Sequence, residues 1–351
     1  MAQAGRNTPT GLDRITFLGR GLNRPECVLA HRSGLLFCSD STGGGGVSVL
    51  HPDGRLHRVL ARDAPGPLRP NGIALLPGGA FLLAHLGVTA TDGGVWRLHP
   101  DGHAEPFLLD LGGRPLPPTN FVAADEEGRV WISVSTRLHP RDLGYRATAD
   151  DGFIVVVDRR GARIAADGLG YANECVVDAG SGRLYVNETF GRRILSFRIG
   201  RDGALSDRRA VAAVGQGTFP DGLTLDAEGG LWVTSVVSNR LIRVAPDGTQ
   251  AVLLEDADPD HLAWVERAFQ AGTMGRDHID RPPSRRLSNI SSLAFGGADR
   301  RTGHLGSLAG EALACVAMPV AGYKPAHWDL DLGPLLPGAG SGGANPRPAA
   351  G

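Results

Sequence analysis

The chain has little cysteine, almost no net charge and no long apolar run, and each shortage removes a class of protein. Four cysteines in 351 residues, Cys27, Cys38, Cys175 and Cys315, are too few and too scattered for a disulfide scaffold, and no Cys-x-x-Cys pair marks a zinc site. They read as small buried hydrophobes. A formal net charge of -1 gives no electrostatic reason to expect nucleic acid or an anionic membrane as partner. No apolar run approaches the roughly 20 residues of a membrane helix. The opening Met-Ala-Gln-Ala-Gly-Arg lacks the apolar core of a signal peptide, so a cytoplasmic location is expected.

What the chain has in quantity is turn residues. Gly 51 and Pro 24, beside 42% hydrophobic residues, describe a folded chain with many reversals. They punctuate a repeat. In Pro220-Asp221-Gly222-Leu223-Thr224-Leu225 an acid opens an apolar/polar alternation, a Gly-containing turn from Asp226 to Gly230 reverses it, and Leu231-Trp232-Val233-Thr234 returns. That is a β-hairpin. Further copies open at Glu26, Asn71, Asn120, Asn173 and, beyond Asp221, at Ser291, with intervals of 45, 49, 53, 48 and 70 residues. This is the period of a four-stranded propeller blade, with one insertion in the last interval. The expected fold is therefore all-β, a six-bladed β-propeller over residues 11–332 with a short helical insertion at 256–287 between blades five and six. Arg14-Ile15-Thr16-Phe17-Leu18 would supply the outer strand of the sixth blade and close the ring. A polar N-terminus (1–10) and a Gly/Pro-rich tail (333–351) are expected to be disordered.

First strands line the channel of a propeller, so Glu26, Asn71, Asn120, Asn173, Asp221 and Ser291 would form a ring at one mouth. Asn and Asp are common at strand starts for local hydrogen-bonding reasons, so one such residue would mean little. Five polar markers in register, Glu26 among them, outweigh that explanation. The ring is all oxygen donors with two carboxylates, which suits calcium, magnesium or manganese better than the soft ligand sets of zinc.

The chain also resembles a known family, that of senescence marker protein (regucalcin), gluconolactonase and luciferin-regenerating enzyme, over roughly residues 12–328. The likeness is carried by Arg69-Pro70-Asn71-Gly72, by Pro220-Asp221-Gly222 followed by Asp226-Ala227-Glu228-Gly229-Gly230-Leu231-Trp232-Val233, and by Leu293-Ala294-Phe295-Gly296-Gly297-Ala298-Asp299-Arg300-Arg301-Thr302. It implies one divalent metal on the channel axis held by Glu26, Asn173 and Asp221, calcium first and magnesium, manganese or zinc after it. It also places Asn120 beside the metal, in contact with its water or the substrate, and makes Asp221 the general base of lactone hydrolysis. Three positions depart from the family's pattern. The usual Glu-Gly-Pro is Glu26-Cys27-Val28, the usual Asn-Gly of blade four is Asn173-Glu174, and an arginine that grips sugar lactones is Pro118. The last argues against gluconolactone as substrate.

Two longer segments should shape the substrate site. Ser135–Arg146 carries Arg137, His139 and Arg141, and a cation there would suit a carboxylate. Arg137 joins Asn71 and Asn120 as an expected substrate contact. In the insertion, Leu262, Val265 and Phe269 have helical spacing behind Asp258 or Asp260 as cap, and the helix would form either a lid or packing on a blade edge. The expected function is metal-dependent opening of a lactone of a small molecule, with a carboxylate on it as one option. A metal-dependent isomerase, hydratase or lyase is a second class, and a non-catalytic calcium-binding propeller a third. Glu174 and Glu188 are the other acids near the mouth, and both are read as structural.

Overall fold

The computed structural model describes residues 11–335. Six four-stranded antiparallel sheets follow one another, each built outward from its first strand. Those first strands are Val28–Ala30, Pro70–Leu75, Phe121–Ala124, Ala172–Asp178, Phe219–Leu225 and Ile290–Gly296. Each packs against the first strand of the next blade, and the sixth packs against the first, so they enclose a central channel. This is the six-bladed propeller. Burial falls outward: every residue of the second strand Leu231–Val236 is buried, while the outermost strand Leu205–Ala213 is largely exposed. That gradient explains why inner strands are rich in branched and aromatic residues and outer ones tolerate Arg208 and Arg209.

Thr16–Leu18 pairs antiparallel with Leu313–Ala317 as the outer strand of the sixth sheet, as its sequence position suggests. Strands from the two ends of the chain thus share one blade, which closes the ring. After the last strand the chain turns across the far mouth of the channel. Tyr323 N donates to Leu225 O at 2.9 Å on blade five, Arg32 N of blade one donates to Trp328 O at 3.2 Å, and Gly78 N of blade two donates to Asp331 O at 2.8 Å. Leu332 and Leu335 are buried, and the short turn Gly333–Leu335 packs on Pro77–Gly79. The described residues run on to Leu335, and these two leucines anchor the strap. The remainder of the tail and residues 1–10 lie outside the described residues. Beneath the strap is a cavity of about 580 Å³ with walls that include Val28, Leu75, Val122, Leu293 and Phe295.

The insertion holds the helix α1, Pro259–Gln270, with Asp258 as its cap accepting from His261 N at 2.8 Å. Its inner face sets Val265, Ala268 and Phe269 against the rings of Phe190 and Phe219, with Phe219 and Phe269 centroids 5.5 Å apart. Arg192 lies over both Phe219 and Phe269, at 4.3 and 4.0 Å, and pairs with Glu266 of the helix at 2.6 Å. All four cysteines are free; three are buried and Cys315 is half-buried. No helix among the described residues is long and apolar enough to cross a membrane.

Candidate active site at the channel mouth

Three of the markers, Asn71, Asn173 and Asp221, sit in bulges. In blade two Pro70 faces His85 but Ile73 faces Leu83; in blade four Ala172 faces Glu188 but Cys175 faces Val186; in blade five Pro220 faces Ser235 but Leu223 faces Val233. At each place two residues of the first strand oppose one of the second, which breaks the strict alternation of side chains. Asn173 lines the mouth, while its neighbour Glu174 lines the far cavity and accepts from Leu223 N at 2.9 Å. The residue after the marker is glycine where the next blade comes closest. A Cβ on Gly72 would stand 2.6 Å from Phe121 Cα, and one on Gly222 2.5 Å from Ser291 O. The Asn-Gly and Asp-Gly pairs are thus packing requirements.

Glu26, Asn71, Asn120, Asn173 and Asp221 line a single cavity of about 480 Å³, each only 3% to 6% exposed. Ser291, the sixth marker, is not among its lining residues. Its Oγ donates to Glu26 O at 2.8 Å and braces the start of blade one. Asn71 receives Arg24 Nη2 on Oδ1 and donates Nδ2 to Asn120 O, both at 3.1 Å. Asn173 Nδ2 donates to Asp221 Oδ1 and, at 3.0 Å, to Thr189 Oγ1, whose own proton goes to Pro220 O at 2.8 Å. This fixes the amide so that Oδ1 remains its available acceptor. Behind the bulge Asn187 Nδ2 holds Asp221 O at 3.0 Å and Gly222 O at 2.9 Å. Burial, followed by the nearby Glu26 carboxylate, pushes the Asp221 carboxyl well above the usual range, although Arg24, Asn173 and Arg141 oppose the shift.

Do these residues suit a metal? Among the described residues no three His, Cys, Asp or Glu side chains converge, so a cation here would depend on amide oxygen beside the carboxylate pair. The pair has Arg24 as direct counter-ion of Glu26, and Arg24 and Arg141 both act on Asp221. Glu26 Oε2 is buried without an aligned hydrogen-bond donor, although Arg24 Nη1 stands 2.6 Å away on a side chain that is 29% exposed. Two desolvated carboxylates with an amide oxygen are hard donors, and no His or Cys lines the cavity. The set fits a hard divalent cation.

Arg137, expected to contact substrate, lies outside this cavity. It pairs with Asp167 at 2.9 Å, lies 4.2 Å from the Phe153 ring centre and donates its backbone N–H to Asp151 Oδ2 at 2.6 Å. From the same loop it is Arg141 that reaches the cavity, joined by Arg24 and by Arg276, Ile279, Asp280 and Arg281 of the insertion. No sequence pattern distinguishes Arg276, whereas Arg24 stands two residues before a ring marker. Glu188 is fully buried and held by Gly170 N at 2.7 Å, Arg193 and Arg208, so it serves the fold.

The structure is similar to a gluconolactonase from Xanthomonas campestris at 21% identity and TM-score 0.64, over 90% of this chain and 94% of that one. It is similar to a luciferin-regenerating enzyme at 16% identity and TM-score 0.63, over 90% and 99% of the two chains. A calcium-binding protein, regucalcin from Agrobacterium tumefaciens, matches at 15% identity and TM-score 0.58, over 95% and 99%. At such identities the likeness shows the fold alone. The sequence goes further, because the family model of the SMP-30/gluconolactonase/LRE-like region matches residues 24–255, a span that contains all five cavity-lining markers, and the chain belongs to that family.

Proposed function

We propose that this protein is a divalent-metal-dependent hydrolase that opens lactones of small molecules, with calcium the first candidate ion and magnesium, manganese or zinc after it. The observation that carries the reading is the desolvated Glu26 and Asp221 pair beside Asn173 in a cavity open to small molecules. Family membership supports lactone hydrolysis as the reaction class. Glu26, Asn173 and Asp221 would hold the ion, which when bound supplies polarisation of the ester carbonyl and stabilisation of the oxyanion.

The remaining work falls to the chain. Asp221 accepts the proton of the attacking water, and Asn173 with Asn187 keeps its carboxylate and backbone in place for that transfer. Asn71 and Asn120, tied to each other on the opposite wall, are positioned to orient substrate or water. Tyr145 stacked on Phe190, with Tyr171 edge-on to both, forms an apolar side that limits access of bulk solvent.

Turnover of a panel of lactones tests the reading. Chelation should abolish hydrolysis and added divalent ion should restore it. Asp221→Asn keeps the volume and an oxygen donor, but an amide cannot take a proton at neutral pH. At saturating metal its rate should fall by about a hundredfold to ten-thousandfold. Turnover undiminished in chelator, or absent across the panel with metal supplied, would overturn the proposal.

A further inference from the structure

The proposed reaction leaves the arginines of the mouth without a task. Arg24, Arg141, Arg276 and Arg281 line the same cavity as the carboxylates. Arg24 has Glu26 at 2.6 Å as counter-ion, and Arg276 has Asp280 at 2.8 Å. Arg141 and Arg281 have no carboxylate within ion-pair distance among the described residues, but Arg281 is exposed, whereas Arg141 is half-buried and donates from Nη2 to Ser135 Oγ at 3.2 Å. The Nε of Arg141 is buried with no acceptor.

Arg141 is nonetheless held in place. Its guanidinium carbon lies 5.6 Å from the centre of the Tyr171 ring, which meets Tyr145 and Phe190 edge-on at 5.5 and 4.8 Å. The short turn Arg141–Gly144 that carries it is pinned by Tyr145, stacked on Phe190 at 4.6 Å. On the adjoining wall Arg24 has one other polar partner besides Glu26, the amide of Asn71. A guanidinium fixed over an aromatic ring, short of an acceptor and facing a cavity, is a receptor for a planar anion formed before the anion arrives.

We infer that Arg141 is the specificity residue of this site and that it selects lactones bearing a free carboxylate, which its guanidinium grips while the ring is opened at Asp221. This rests on the reading of the cavity as a lactonase site. In the reaction the water hydroxyl bonds to the carbonyl carbon, the acyl carbon to ring oxygen bond breaks, and the proton goes to the departing ring oxygen. The product is a hydroxy acid with one carboxylate more than its lactone.

Two lactones that differ in one group provide the test: 5-oxotetrahydrofuran-2-carboxylate and γ-valerolactone, which has a methyl where the first has the carboxylate. The parent protein should prefer the acid by about 10- to 100-fold in kcat/KM, mainly through KM, as expected of a hydrogen-bonded charge pair. Arg141→Gln should erase that ratio and Arg141→Lys should restore part of it. A merely structural role would lower both substrates together and leave the ratio intact, which would overturn the inference. Calorimetric binding of 2-hydroxyglutarate, the opened acid, against 4-hydroxypentanoate separates the two proposals. If neither lactone turns over but 2-hydroxyglutarate binds more tightly in an Arg141-dependent way, the hydrolase reading falls and the anion site stands. If binding shows no preference and no dependence on Arg141, the anion site falls.

Discussion

Buried polar residues of this propeller meet three different fates. Asp125 and Asp226 are consumed by structure: each accepts from the N–H groups of its own turn, from a tryptophan Nε1 at 2.9 Å and from an arginine at 2.7 Å, which is what the Asp-x-Glu-Gly-x-x-Trp pattern of blades three and five encodes. Asp221 and Glu26 face the mouth cavity, and Glu26 Oε2 is buried there without an aligned hydrogen-bond donor. His304 is kept neutral. It is buried with Nδ1 3.3 Å from Cys315 Sγ, and desolvation lowers its pKa to about 4. In the unfolded chain a histidine titrates near 6.5. Between about pH 6.5 and 4 the unfolded state therefore holds a proton the folded state refuses, and stability falls as the pH falls. Melting curves from pH 7 to pH 5 should show a declining Tm, with a shallower decline in His304→Gln. An equal slope in the variant would mean that His304 is protonated in place.

Elements of the structure differ in how far they can be separated from the propeller. The helix α1 is packed on the propeller, with Val265, Ala268 and Phe269 covering Phe190 and Phe219, and the residues after it, Arg276 to Arg281, form part of the cavity wall. Removing the insertion would uncover those rings, so point variants are the cleaner probe. Phe269→Ala should cost about 3 to 5 kcal/mol in chemical denaturation, since it empties a packed aromatic site and leaves Arg192 without one of its two rings. Trp264 is 40% exposed on the outer side of the same helix, and Trp264→Ala should cost about 1 kcal/mol or less. The reverse order would mean that α1 rests loosely on a blade edge.

For the whole molecule the decisive feature is closure. Thr16–Leu18 covers the edge of Leu313–Ala317, Ile15 is buried among Trp232, Leu254 and Leu287, and Arg286 Nη2 donates to Ile15 O at 2.9 Å. Deleting residues 1–18 would bare a strand edge and open a core cluster at once. Such a protein should melt at least about 5 °C lower and associate with itself, as read by light scattering. A monomer with unchanged melting would show that three strands suffice for the sixth blade.

Sequence alone determined the periodic part of this protein. The blade count, the closing strand, the capped helix and the ring of polar markers are all local patterns or intervals, and short-range backbone preference is enough to write them. Membership of the family rests on the same local signatures. Tertiary structure decided what depends on residues distant in the chain. Glu174 and Asn173 are neighbours in sequence, yet they line cavities at opposite ends of the channel, and Leu223 N of the next blade holds Glu174 at the far one. Arg137 and Arg141 share one loop, yet Asp167 and Phe153 draw the first away while Tyr171 holds the second over the mouth. The strap over the far mouth joins Leu225, Arg32 and Gly78 through backbone hydrogen bonds that have no sequence signature. Side-chain direction at a bulge, and the choice of a partner across blades, follow from packing of strands some fifty residues apart in the chain, and for that reason they became visible only once the ring was closed.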